Sequence, residues 1–449
     1  MILNIIINQA HKIRRLNKAQ KLCIFSLYKL YSMLVKNLCL VILFCGVYSS
    51  IAQVSEKIEP QNIRTIQFKG SSAQSQLPII QLGSTIELSF DDINGNEEDY
   101  YYKITHHNFD WTPSDLSKGE YLNGFDDVRI ETYQNSFNTL QLFSHYTLTI
   151  PNRETRSINK SGNYLISIYN DSNELIFSRK FMIYESLVGV GVEIKRSRDI
   201  KYIDEKQVVQ FKVSSPTLLL INPKQTVKTL VMQNSNIKRA ITDLVPQYTI
   251  GNELIYRYDQ EAAFWGGNEF LLFDNKDIRS ATNGIRRVEL TDLYENFLYT
   301  DISRKTRPYT YNPDINGNFV VRNFGVENQD IEAEYVRMHF NLQYYEDIGD
   351  KELHIYGNFN NWTIDETTYM RYDTSSDTFK NDRLFKQGFY NYKYVLVNRD
   401  GSIDDGAVSG NFWQTENQYT VLVYFRDLGA RFDRIIGMGT ANSTNINNN

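Results

Sequence analysis

Residues Tyr100 to His107 read YYYKITHH, and their alternation constrains the fold of this chain more than any other stretch. Tyr100, Tyr102, Ile104 and His106 fall on one face and Tyr101, Lys103, Thr105 and His107 on the other, the period of a sheet strand. A long excursion follows through Trp111, Pro113, Gly119, Gly124 and the run Ser136 to Thr139. The chain then returns as a second strand through His145, Tyr146, Leu148 and Ile150. A connection of that length should carry specific packing or a contact surface.

The same period-two grammar recurs to the end of the chain. Thr85 to Phe90, Asn163 to Tyr169 and Leu175 to Tyr184 are short alternating runs, the last two joined by the turn residues Asp171, Ser172 and Asn173. Such spacing predicts an immunoglobulin-like β-sandwich over residues 53–185. Residues 186–303 predict a second sandwich, with Val209, Phe211 and Val213 turned inward against Gln210 and Lys212, and with Val227, Thr229 and Val231 repeating the pattern. This stretch holds the loop EAAFWGGNEF, where Phe264 and Trp265 precede two glycines free to adopt positive φ. The simplest reading folds these aromatics back into the core, since large aromatics are mostly buried; the other makes them an exposed contact.

Residues 304–440 form the third predicted domain. It opens with RKTRPYTYNPDINGN, a linker or an ordered strap, and continues with a strand that points Val336, Met338, Phe340 and Leu342 one way and Arg337, His339 and Asn341 the other. The tail 441–449, ANSTNINNN, has little to bury and is expected to be disordered. It carries no sign of a carboxy-terminal sorting domain, so the chain reads as machinery rather than cargo. The fold class is therefore all-β: three consecutive immunoglobulin-like or early-set β-sandwich domains. The 31 tyrosines suit strands better than helices.

Residues 1–52 read as an extension and a cleaved export signal. No acidic residue occurs there; Met33 is a plausible initiator, Lys36 an n-region, Leu38 to Val47 the apolar run, and Ser50-Ile51-Ala52 the small-residue site before Gln53. An apolar run of about ten residues is too short for a bilayer core that needs roughly 20. All three cysteines, Cys23, Cys39 and Cys45, precede that site, so the processed chain has no disulfide or thiol chemistry. Phe44 before Cys45 argues against a lipidated cysteine, because that position wants a small residue. Processing leaves 41 basic against 53 acidic residues, a net charge of −12, which offers no electrostatic footprint for nucleic acid or anionic lipid.

The residues argue against catalysis. His106, His107 and His145 lie near one stretch, but neighbours on a strand face opposite ways, and a zinc site needs three or four convergent ligands. The carboxylate pairs Asp126-Asp127, Asp404-Asp405 and Glu97-Glu98 each sit beside Gly or Asn in turn contexts, as solvated loops do. No G-x-S-x-G elbow, P-loop or H-E-x-x-H is present. No catalytic residue, metal ligand or cofactor is assigned.

A series of short motifs does point to a function. WTPS at Trp111 to Ser114, YLNGF at Tyr121 to Phe125, SFNT at Ser136 to Thr139, HY at His145 and Tyr146, and SGNY at Ser161 to Tyr164 occur in an order that resembles the plug protein family of the bacterial type IX secretion system. The resemblance continues through GNELIYRY, FWGGNEF and ARFDRIIG (Ala430 to Gly437), and departs at His107, where the family pattern leads one to expect cysteine. It implies a periplasmic protein that closes the inner mouth of an outer-membrane β-barrel translocon; Trp111, Phe264 and Trp265, aromatics beside flexible turns, are the candidate partner contacts if they are not core. Separately, LHIYGNFNNW (Leu353 to Trp362) and GFYNYKYVLVNRDG resemble early-set modules that bind glycogen or starch. Trp362 and Lys393 match that pattern, but Ser402-Ile403 stands where a second tryptophan would follow the Asp400-Gly401 turn. Polysaccharide binding through the third domain is thus the alternative function, and the missing tryptophan tilts the choice toward the plug.

Overall fold

The computed structural model describes residues 54–70, 76–242, 244–282 and 284–446; the export signal expected in residues 1–52 lies outside them. Among the described residues α-helix is confined to the four-residue turns Lys118–Tyr121, Pro223–Thr226 and Gln329–Glu332. The fold is all-β, built from three sandwiches. The chain from Val54 onward forms one compact unit.

In the first sandwich one sheet orders Ile63–Lys69, Ile86–Asp92, Ser144–Ile150 and Tyr133–Asn135. The other orders Ile79–Gln81, Leu175–Tyr184, Gly162–Asn170, Tyr100–His107 and Val128–Arg129. The alternation read at Tyr100 is obeyed: Tyr100, Tyr102 and Ile104 are buried in the core between the sheets, with Phe90, Tyr146, Phe177 and Phe181. Asn173 takes the left-handed turn between Gly162–Asn170 and Leu175–Tyr184, with φ of +58°, a conformation that asparagine tolerates. The long excursion is folded onto the sandwich rather than hanging from it. Leu122–Gly124 pairs with Thr155–Ile158, and Tyr133–Asn135 pairs with Ser144 to Tyr146, so its backbone groups find partners locally.

Strand pairing divides the rest differently from the linear partition at residues 303 and 304. The second sandwich sets the sheet of Gly189–Arg196, Lys206–Ser214, Glu253–Tyr256 and Tyr248–Ile250, with Ala263–Trp265 at its side, against Val227–Gln233, Gln418–Phe425 and Arg434–Asn442. Its last two strands therefore come from the end of the chain. The third sandwich is inserted between them, with Gly388–Val397 central in one sheet and Tyr335–Gln343 beside Thr378–Lys386 in the other. The physical cause lies in Val227–Gln233, an apolar strand with few partners nearby in sequence. Val227 to Gln233 pair residue by residue with Phe425 to Tyr419, which satisfies the backbone and closes the core.

The ends of the inserted domain are tied down. The segment from Arg304 to Asn318 is an ordered strap: Arg304 N–H donates to Val408 O at 2.9 Å, and Phe270 N–H donates to Asp314 Oδ2 at 2.5 Å. The tail expectation is corrected as far as residue 446. Ala441 and Asn442 complete the last strand, and Ser443 is buried, accepting from Asn417 N–H at 2.8 Å and donating to Thr415 O at 2.8 Å. A polar composition did not prevent order here, because the hydroxyl found two buried backbone partners.

Candidate partner-binding site

Two seams hold the first sandwich against the others, and the motif residues converge on them. At the first seam the outer face of Val227–Gln233 is as apolar as its inner face. Leu230 and Met232 pack with Leu422, Tyr424 and Ile435 against Leu77, Trp111 and Met182 of the first sandwich. Tyr424 donates its hydroxyl to Asn163 Oδ1 at 2.7 Å, and Phe109 N–H donates to Asp433 Oδ2 at 2.9 Å. Arg434 makes a two-pronged pair with Glu185, at 3.1 and 2.8 Å. The pieces WTPS, SGNY and ARFDRIIG are thus one contact read in three places.

His106 belongs to this seam. Its Nδ1 bonds Ser114 Oγ at 2.8 Å and its Nε2 faces Ser161 O at 3.2 Å, while its ring packs edge-on to Phe432 at 5.3 Å. Burial pulls its pKa down to about 4, so the ring is neutral at pH 7. His107 faces the other way, bonding Thr105 Oγ1 and Trp111 O. It is nonetheless buried, because the Trp111 loop folds back over that face.

The second seam joins the first and third sandwiches through a buried charge network. Asp91 Oδ2 accepts from Lys386 Nζ at 2.7 Å and from Tyr335 OH at 2.7 Å, and Asp91 Oδ1 meets His145 Nδ1 at 2.6 Å. Asp91 and Lys386 are 0% and 1% exposed. Burial by itself pushes the Asp91 carboxyl up, yet Lys386 and His145 outweigh it and hold it below the ordinary range. Burial likewise lowers the Lys386 ammonium against the pull of Asp91. The carboxylate sets the behaviour of the pair, since three donors converge on it. The SFNT loop lies beside this network: Phe137 N–H donates to Ile331 O at 3.0 Å, and Gln141 N–H to Glu334 Oε1 at 3.1 Å.

The candidate contact residues are therefore mostly interior. Trp111 is 4% exposed, held at φ +63° with Lys180 Nζ 4.2 Å from its ring centre, and is a seam residue rather than a surface anchor. Phe264 is buried against Tyr419. Trp265 is half-buried between Tyr202 and Lys206 and keeps some open surface. The large exposed apolar side chains lie elsewhere. Phe137, Leu140 and Leu142 stand at 65%, 52% and 62% exposure on the SFNT loop, and Phe324 at 67% lines one cavity with Leu140. Sequence reasoning passed over them, although Phe137, Leu140 and Leu142 within a long connection were a readable signal.

In the third sandwich Trp362 is 4% exposed, packed on Tyr356 at 5.0 Å and Phe270 at 6.0 Å. Its indole offers no open face to a sugar ring, and Lys393 Nζ is 3.4 Å from Asp405 Oδ2.

Comparison with known proteins agrees with this architecture. The family model described as "Type 9 secretion system plug protein 1st domain" matches residues 63–185, the whole first sandwich. The crystal structure of a hypothetical protein from Parabacteroides merdae ATCC 43184 is similar with a TM-score of 0.83 and 31% identity, covering 87% of this chain and 100% of that one. No curated protein matches the chain. With the domain match falling on the sandwich that carries the motif series, the chain belongs to the type 9 secretion system plug protein family.

Proposed function

We propose that this protein closes the periplasmic opening of the type IX outer-membrane translocon when no cargo occupies it. Family membership ties the chain to type IX secretion and to the cell envelope, and no described helix is long and apolar enough to cross a membrane. The observation that carries the proposal is the locked second seam. A stopper must resist deformation, and a fully buried Asp91–Lys386 pair with Tyr335 and His145 fixes the first sandwich on the third in one register. Phe137, Leu140, Leu142 and Phe324 stand out at the rim of that seam. They supply the apolar contact surface that a β-barrel mouth or its inward loops would cover, since clustered exposed apolar side chains mark interaction sites.

The polysaccharide reading is weakened by the burial of Trp362. The all-β fold and the structural roles of the three histidines near the first sandwich support a non-catalytic protein. The test is recovery of the processed chain from its own cells with a very large outer-membrane β-barrel. Replacing Phe137, Leu140 and Phe324 together by serine should abolish that recovery while leaving the thermal transition in place. Recovery unchanged by the triple substitution would move the contact surface elsewhere, and recovery of the chain without any barrel would defeat the proposal.

A further inference from the structure

Residues 54–60 precede the first strand and form no helix or strand of their own. None of their side chains is fully buried, and Ile58 is 49% exposed. What holds them is polar. Both oxygens of Glu56 are taken, one by the backbone N–H of Lys180 in the first sandwich at 2.7 Å and the other by Asn361 Nδ2 in the third at 2.7 Å. Glu59 pairs with Arg179 at 2.7 Å, Lys57 N–H donates to Ser178 Oγ at 2.8 Å, and Ser178 N–H donates back to Lys57 O at 3.1 Å. The segment is a clasp laid over the place where the first sandwich meets the third.

The clasp covers a sheet edge without completing the sheet. Strand Leu175–Tyr184 is flanked on its outer side by Ile79–Gln81, which reaches only Met182 to Tyr184. Earlier in the strand, the outward N–H groups of Ser178 and Lys180 meet one carbonyl and one carboxylate of the clasp, where a neighbouring strand would offer carbonyls to both. Nearby a groove of about 460 Å³ stays open, walled in part by Lys57, Ile58, Pro60, Leu175 and Ile176. The residues bonded to the clasp are polar as well: Ser178 and Arg179 are 1% and 5% exposed. Lifting the clasp hands these groups to water, which can replace the hydrogen bonds they lose.

Charge says what the site recognises. In a processed chain of net charge −12, Glu56 and Glu59 lie in the field of cations from all three sandwiches: Arg179 and Lys180 of the first, Lys238 of the second and Arg383 of the third. Burial alone would raise the Glu59 carboxyl, but Arg179 outweighs it and holds the group below the ordinary carboxylate range. Beyond the clasp, Arg383 is pulled by Asp365 and repelled by Arg64. Without Glu56 and Glu59, these five cations would be left with Asp365, so whatever fills the site must bring carboxylates.

We infer that the clasp is a tethered ligand: the cleft it fills is a binding site for an extended acidic segment, and the clasp leaves it as a unit while the sandwiches stay folded. Cleavage before Gln53, as the sequence predicts, leaves the clasp tethered at one end only. The Asp91–Lys386 pair remains in place when it lifts, so the inference does not depend on the plug reading.

Hydrogen exchange on the processed chain tests the release. Ser178 and Lys180 N–H face the clasp, whereas Arg179 and Phe181 N–H, by alternation, face Gly162–Asn170. Local opening is expected to exchange Ser178 and Lys180 at least about 100-fold faster than Arg179 and Phe181. Equal rates would mean that the clasp opens only with the sheet, and would overturn the release. Binding of a fluorescent peptide of residues 53–62 tests the site. The parent, whose own clasp competes at high effective concentration, should bind it at least about tenfold more weakly than the Glu56→Gln/Glu59→Gln chain does. The same peptide with both glutamates replaced by glutamine should bind that variant at least about tenfold more weakly, having lost its charged acceptors. No binding to the variant, or binding to the parent just as tight, overturns the site. Equal binding of the two peptides overturns the acidic class.

Discussion

Replacing Lys386 by methionine probes the seam that the proposed function depends on. Methionine keeps most of the length and packing of the lysine stem, whose Nζ lies 4.1 Å from the Phe143 ring centre, but removes the charge facing Asp91. Asp91 is then a buried carboxylate with Tyr335 OH and His145 Nδ1 as its remaining side-chain partners. Removing one partner of a buried pair costs about 3–5 kcal/mol. Two donors survive here, so the lower end, about 3 kcal/mol, is expected. Asp91→Asn in the same chain removes the stranded charge and should restore more than half of that loss, so that the double variant is far more stable than the sum of the two single losses in a double-mutant cycle. Urea unfolding at pH 7, with the slope checked for constancy, measures all four corners. A double variant no more stable than Lys386→Met alone would refute the reasoning, since the cost would then come from lost packing rather than from the unpaired carboxylate.

Acid should act through the same group. The folded-state pKa of Asp91 lies below its unfolded value, so its contribution is present above about pH 4 and is lost as pH falls further; urea midpoints should drop below that pH in the parent, and the drop should be smaller in Asp91→Asn/Lys386→Met. His106 behaves in the same sense for a different reason. Its folded pKa near 4 lies below the unfolded value of about 6.5, so the unfolded chain binds the extra proton and stability falls by about 3 kcal/mol as pH drops across that window; His106→Gln should flatten this slope in a stability-versus-pH series. Trp111→Ala should cost about 3–5 kcal/mol as a core truncation at the first seam, whereas Trp265→Ala, half-buried, should cost clearly less by the same urea assay. Gly317→Ala should destabilise by about 2 kcal/mol or more: φ is +81° there, and a Cβ would strike the Trp362 ring and sit 2.8 Å from Phe270, so a thermal midpoint equal to the parent's would contradict the packing described.

Much of this architecture was legible because period-two alternation reports burial one strand at a time. Tyr100 to Ile104, Val209 to Val213 and Val336 to Leu342 each bury the predicted face. Alternation fails where both faces are covered. Leu230 and Met232 read as the outward partners of Val227, Thr229 and Val231, and only the packing of another sandwich on that face explains them. The insertion of the third sandwich within the second was hidden for a related reason, since the pairing of Val227–Gln233 with Gln418–Phe425 spans far more chain than any local pattern reaches. Trp111 and Phe264 lie near turns and are interior, Phe264 as the simpler reading of its loop had it, because large aromatics gain more from burial and each found a core within reach. The motif series pointed correctly to the family, while its physical meaning, three segments meeting at one seam, became readable only in three dimensions.

The central claim is that this chain is the barrier of a pore that others build. Its most direct test is outer-membrane leak measured by sensitivity to bulky antibiotics normally excluded from the cell, in strains lacking this protein, lacking the translocon barrel, and lacking both. The account predicts increased sensitivity when this protein alone is absent and restored resistance when the barrel is removed as well. Equal resistance in all three strains, or sensitivity that persists without the barrel, would contradict it.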